Sequence, residues 1–182
     1  MSPQFRKVGE EPEFQGTLIQ VSRVEFEGPD GHIFERDVVH HPGAVVVVPL
    51  IADDRVLMVR QFRAAIGDDL FEIPAGKRDV DGEPTEETAQ RELAEEVGRR
   101  AGRIDLLARF YNSPGFTDEF TWLYLARDLV EVPLDRQGAE EQAMTVEEVA
   151  LASVPEMIRT GELVDAKTII GLTLTREFLG IS

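Results

Sequence analysis

Residues 76–98 read GKRDVDGEPTEETAQRELAEEVG, and the part from Thr85 onward is a strong helix former holding five glutamates and one arginine. Pro84 and Thr85 mark the start and Gly98 the end, as expected for proline in the first turn and glycine just past the last. At about 100° per residue, Glu92, Glu95 and Glu96 share an arc of roughly 100°, beside an apolar stripe of Ala89, Leu93 and Val97. Carboxylates three and four apart repel, and Arg91 can reach Glu87 or Glu95 but cannot neutralise them all. A hard divalent cation can, since Mg²⁺ takes oxygen ligands from one or two carboxylates plus substrate phosphates. An acidic helix face is more often a solvated surface, so the glutamates alone do not decide between the two readings.

The surrounding sequence bounds the answer. With 182 residues the chain is long enough for a substantial core and reads as one domain with an appendage. A hydrophobic content of 42% and a charged content of 30% belong to a soluble globular protein. The net charge of −16 argues against an electrostatic grip on nucleic acid or anionic membrane. Cysteine is absent, which excludes disulfides and thiolate metal sites. The N-terminus MSPQFRKVGEEPEF has no apolar signal core and no stretch is long enough to span a bilayer. A cytoplasmic location is expected by default.

In chain order, residues 1–16 read as a poorly ordered arm, followed by the β-rich TLIQVSRVEFEG, a turn at Pro29-Asp30-Gly31, and HIFERDVVHH. This piece, 1–42, has too little apolar content to stand alone. His32, His40 and His41 have no zinc-like spacing and read as turn or strand-edge residues. The main domain, 43–182, opens with AVVVVPL, a run expected of a strand buried on both faces, and RVLMVRQF returns antiparallel to it. Arg60 and Arg63 at the end of that strand are candidate phosphate clamps, against surface ion pairing as the plain alternative. DDLFEIPAG forms a short strand carrying Glu72 toward the acidic helix, with the Ala75 carbonyl where a further metal ligand is wanted.

Beyond the helix, Ile104–Tyr111 reads as a strand, Ser113-Pro114-Gly115 as a turn, and FTWLYLARDL as a strand packed on both sides, which makes Trp122 core rather than a ligand platform. Glu119, at the mouth of that strand, is the better candidate for a sugar hydroxyl. VEVPLDRQGAEEQ reads as a mobile loop. Met144–Leu151 is another strand, and two helices follow, Pro155–Thr160 and Asp165–Leu179, the latter with Ile169, Leu172 and Leu179 inward. The expected architecture is an α/β/α sandwich on a mixed sheet with a small N-terminal β unit.

Glu83, seven residues, Arg91-Glu92-Leu93-Ala94-Glu95-Glu96, then Val97 and Gly98 resemble the signature of the Nudix hydrolases, which cleave nucleoside diphosphates linked to another group. Two positions depart from the pattern: six residues rather than five separate Gly76 from Glu83, and Arg99 stands where an aliphatic residue is usual. VVVVPL, VRQFR, EIPAG and YNSPGFTDE look like the ADP-ribose diphosphatase branch of that family.

The resemblance implies that Glu92 and Glu96 bind divalent metal, Mg²⁺ or Mn²⁺ in its place, with Glu95 and the Ala75 carbonyl assisting. Arg91 and Glu83 would keep helix and loop in register below Gly76. Arg63 and Arg36 would meet phosphate or nucleoside, and Glu119 the terminal ribose. The catalytic base would come from Glu140 or Glu141. It also implies a homodimer in which the N-terminal unit is exchanged and helps build the adenine site, and hydrolysis of ADP-ribose to AMP and ribose 5-phosphate. The rival readings are attack on another nucleotide sugar or dinucleotide, and a sensing module without turnover.

Overall fold

A computed structural model of the chain describes residues 4–136 and 138–181, the side chains of 138–140 excepted. The chain divides into two compact units, one comprising residues up to Gly43 with Phe110–Thr121, the other Ala44–Arg109 with Trp122 to the C-terminus.

The first unit is an antiparallel sheet of β1 (Arg6–Gln15), β2 (Gln20–Glu27) and β3 (Ile33–His40), in that order. The expected arm at 1–16 is therefore corrected: from Arg6 onward it is an edge strand, paired with β2 from Arg6↔Glu27 to Gln15↔Gln20. Its polar sequence gives no alternation to read, and its stability comes from the ladder and from ion pairs such as Arg6 with Glu27. Backbone bonds fasten β3 to the turn at 113–118, with the Val39 amide donating to Phe116 and the Asp118 amide to Val39.

One histidine of this unit has more than an edge role. His40 Nδ1 lies 2.6 Å from Asp118 Oδ2 and its Nε2 2.8 Å from Glu10 Oε1, and Glu10 also pairs with Lys7. The Asp118 hydrogen bond raises the imidazole pKa above its ordinary 6.5, with Glu10 adding to it and partial burial opposing. A raised basic pKa stabilises the fold fully below the unfolded value of about 6.5 and loses that contribution as pH climbs through the folded value. The melting temperature is expected to fall from pH 6 to pH 9 and the slope to flatten in His40→Gln. For so exposed a cluster the effect is at most about 1 kcal/mol, and an unchanged slope would remove His40 from the account.

Apart from the last two residues of β8 and the first two of β9, the second unit carries the remaining elements: β4 (Ala44–Ala52), β5 (Arg55–Arg63), β6 (Asp68–Glu72), β7 (Ala75–Lys77), α1 (Thr85–Val97), β8 (Arg99–Tyr111), β9 (Phe120–Glu131), α2 (Gly138–Ala143), β10 (Thr145–Ala150), α3 (Val154–Thr160) and α4 (Ala166–Leu179). The sheet runs β10-β5-β4-β9-β8, with β6 added to β5 and β7 to β4. The apolar runs of β4 and β5 send side chains to both faces. Val45, Val47, Leu57 and Val59 meet Ala89, Leu93 and Val97 of α1 on one side, while Val48, Leu123 and Ile73 meet Gly171 of α4 on the other. The α/β/α sandwich on a mixed sheet is the architecture found.

One local expectation changes. The segment read as a loop over 130–142 continues β9 to Glu131 and forms α2 at 138–143. Trp122 is half-buried against the core, with the Arg78 guanidinium 4.7 Å from its ring centroid. No helix among the described residues is long and apolar enough to cross a membrane.

Candidate active site

The acidic helix is fixed at both ends. Pro84 precedes it in an extended conformation, and Gly98 closes it in the left-handed region (φ 61°), donating to Ala94 and Leu93 carbonyls. With Ala89, Leu93 and Val97 committed to the core, the neighbouring face turns inward as well. Glu92 is only 6% exposed and Glu96 3%. The solvated-face reading fails on these two numbers, because an ionised carboxylate is costly to bury without a partner. Glu95 is more open.

The Arg91 guanidinium organises the carboxylates around it. It donates to Glu92 Oε1 at 2.7 Å, Glu95 Oε2 at 3.1 Å and Glu83 Oε2 at 3.5 Å, and lies 3.6 Å from Asp79 Oδ1. Burial works against its charge, but Glu92, Glu83 and Glu95 more than offset this and keep it protonated. Glu83 accepts the Thr88 hydroxyl at 2.7 Å, which with Arg91 holds its carboxyl below the usual range. Arg91 and Glu83 are thus joined across the start of the helix.

Glu96 points toward β7 and accepts the Ala75 amide at 3.1 Å. Gly76 is next along, and its hydrogen faces Glu92: a methyl group there would stand 1.8 Å from Glu92 Cδ. The absent side chain at 76 is what lets the carboxylate lie against the strand. Burial pushes Glu92 up to about 7, with Glu95 and Glu141 adding to it, and pushes Glu96 up to about 8, with Glu92 adding to it. These are acids short of positive charge.

Among the described residues no three His, Asp or Glu side chains have converged on an ion-sized space, since Glu92 leans on Arg91 instead. The donor chemistry nevertheless fits a hard cation. Two buried carboxylates one helical turn apart lie against a strand whose carbonyls are oxygen donors, and burial of their charge is relieved by a divalent ion.

Glu141 of α2 is within electrostatic reach of Glu92, Glu95 and Glu96 and raises the pKa of each. The Glu140 side chain lies outside the described residues. Arg136, which the sequence did not single out, ties this segment down, donating to the Met144 carbonyl at 2.7 Å and the Glu96 carbonyl at 3.3 Å. Arg78 donates to the Glu83 carbonyl at 3.3 Å. Neither carries a spacing signal, because each acts on a backbone carbonyl.

Arg63 forms a two-point bond with the fully buried Glu72, Nε to Oε1 and Nη2 to Oε2, both 2.7 Å. Its other donors remain, and 38% of the side chain is exposed. Arg60 pairs with Glu147 at 3.2 Å and covers Phe71, the plain surface role. Arg36 and Glu119 belong to the first unit. Arg36 lies over Phe34 and lines a cavity of about 310 Å³ with Phe26, Tyr111 and Phe116. Glu119 is half-buried at the start of β9, its amide on the Thr117 hydroxyl at 3.2 Å.

Comparison with known proteins shows the family. The model of the NUDIX domain matches residues 40–166. The chain is 37% identical to the ADP-ribose pyrophosphatase of Bacillus subtilis (strain 168) over 163 residues, 90% of this chain and 88% of that protein. It is also 37% identical to the ADP-ribose pyrophosphatase of Mycobacterium tuberculosis (strain ATCC 25618 / H37Rv) over 168 residues, 92% and 81% of the two chains. The crystal structure of an ADP compounds hydrolase superposes with a TM-score of 0.84, covering 98% of this chain and 95% of that one. At 23% identity that likeness speaks to the fold alone. Domain match, relatives and the buried carboxylates of α1 lead to one assignment: the chain belongs to the Nudix hydrolase family.

Proposed function

We propose that the chain hydrolyses ADP-ribose to AMP and ribose 5-phosphate. The observation that carries the reading is the pair Glu92 and Glu96, buried side by side against Ala75 and Gly76, in a chain 37% identical to two ADP-ribose pyrophosphatases. Divalent metal is general in the family, and Mg²⁺ is our assignment here, with Mn²⁺ as the alternative. Glu92, Glu96, Glu95 and the Ala75 carbonyl are the ligands proposed for it. When bound, such a cation offsets the charge of the diphosphate and acidifies the attacking water.

The water oxygen bonds to one phosphorus as the bond from that phosphorus to the bridging oxygen breaks. Glu140 or Glu141 receives the water's proton in this scheme, Glu141 lying within electrostatic reach of the cluster. The bridging oxygen leaves with the other phosphate. Arg91 keeps Glu92, Glu95 and Glu83 in place, and Arg63 offers its remaining N–H groups to the diphosphate oxygens. Arg36 and Glu119 are assigned to the nucleoside and the terminal ribose. Residues 1–42 are assigned to dimerisation and substrate binding in a homodimer, residues 43–182 to hydrolysis, and the protein to the cytoplasm.

The test is product identity from purified protein with Mg²⁺ across ADP-ribose, GDP-mannose, FAD and NADH. AMP from ADP-ribose is the expected result. Its absence, with another compound cleaved, would move the assignment to that substrate, and tight binding without product would indicate a sensing module.

A further inference from the structure

Glu72 is completely buried and has two cations on it. Besides Arg63, the ammonium of Lys167 meets Glu72 Oε2, and the same nitrogen lies 2.8 Å from Asp165 Oδ1. Lys167 is held there from both directions. Asp165 is the N-cap of α4, and its Oδ2 accepts the Thr168 amide at 2.9 Å and the Thr168 hydroxyl at 2.6 Å. The Thr168 oxygen in turn accepts the Ile73 amide at 3.0 Å, one residue past Glu72. The start of α4 is therefore stitched to the end of β6 beside the place where Glu72 and Arg63 meet. Two acids and two bases make a quartet with no net charge, the balance a buried cluster needs.

A structural ion pair would be complete with Arg63 and Glu72 alone, since one guanidinium fork satisfies one carboxylate. The added lysine divides the carboxylate's attraction. With Lys167 also on Oε2, Arg63 bonds Glu72 through Nε and one hydrogen of Nη2, and 38% of its side chain is exposed. Arg63 also lies within electrostatic reach of Glu96, a carboxylate of the acidic helix.

We propose that Lys167 is a positioning residue for the hydrolysis, which through Glu72 sets the Arg63 guanidinium in the attitude that meets the diphosphate. The proposal rests on the reading that Arg63 grips the substrate. Without Lys167, Glu72 has Arg63 as its sole cation, the guanidinium is drawn toward it, and the quartet becomes a net negative charge facing an anionic substrate.

Steady-state kinetics on ADP-ribose with Mg²⁺ test this, with melting temperature followed in parallel. Lys167→Met, which keeps the length of the side chain, is expected to raise KM about tenfold with kcat within twofold. Lys167→Gln, which keeps a donor for Glu72, should fall between Met and wild type and guards against a misfolded methionine variant. Arg63→Ala should raise KM at least as much, and Lys167→Met added to it should change KM no further. The proposal is overturned if both Lys167 variants keep wild-type KM, whatever they do to melting. It is overturned with the reading of Arg63 if Arg63→Ala leaves KM unchanged. Failure of the functional assignment itself shows earlier and separately, as a wild type that releases no AMP.

Discussion

Glu96→Gln is expected to lower AMP release from ADP-ribose by about a thousandfold while leaving the metal-free protein at least as stable as wild type. A metal ligand is worth several kcal/mol of transition-state stabilisation, and about 4 kcal/mol corresponds to that factor. The stability half follows from burial. Glu96 is 3% exposed and its pKa is pushed up to about 8, so the folded chain holds a proton that the unfolded chain releases near pH 4.5. A raised carboxylate costs stability increasingly from about pH 4.5 to about pH 8, then levels off. Glutamine has no such proton to lose, and its carbonyl can still accept the Ala75 amide. The melting advantage of the variant should therefore widen between pH 5 and pH 8. Turnover within tenfold of wild type, or a variant that melts many degrees lower, would mean that Glu96 supports the fold and not the chemistry.

A methyl group at position 76 is expected to reach the same site without touching a carboxylate. Gly76 adopts a backbone conformation open to other residues, so Gly76→Ala strains no dihedral angle; the added carbon stands 1.8 Å from Glu92 Cδ and 1.9 Å from its Oε1. Glu92 must swing away from the strand it lies against. We expect turnover to fall roughly a hundredfold, Mg²⁺ affinity measured by calorimetry to weaken, and stability to drop by about 1–3 kcal/mol from overpacking. In a Glu92→Ala background the clash is gone and Gly76→Ala should cost almost nothing more. Equal losses in both backgrounds would show that the methyl acts elsewhere.

What could be read from the sequence follows from the range of the forces involved. The acidic helix and the strands at 44–52 and 55–63 were legible because their periodicity and caps are local, and α1 begins and ends where Pro84 and Gly98 place it. The extra residue before Glu83 is accommodated in the loop, where Gly82 takes a positive φ of 75°. The first strand was illegible, since RKVGEEPEFQ has no alternation and owes its extension to β2. Arg136 and Lys167 were illegible for a further reason. Their partners lie 40 residues away at the Glu96 carbonyl and 95 away at Glu72, and an isolated basic residue in a polar stretch carries no mark of such a partner. Glu92 and Glu96 were named correctly as a face, but that the face is buried depends on packing that no helical wheel contains.

The chain has one tryptophan, and its ring lies under Arg78, the residue that also donates to the Glu83 carbonyl. Indole emission responds to a charge lying across the ring, so the molecule carries a native optical reporter of the segment leading into the acidic helix. Rearrangement of that segment can be followed in unlabelled protein, with no second indole to contribute background.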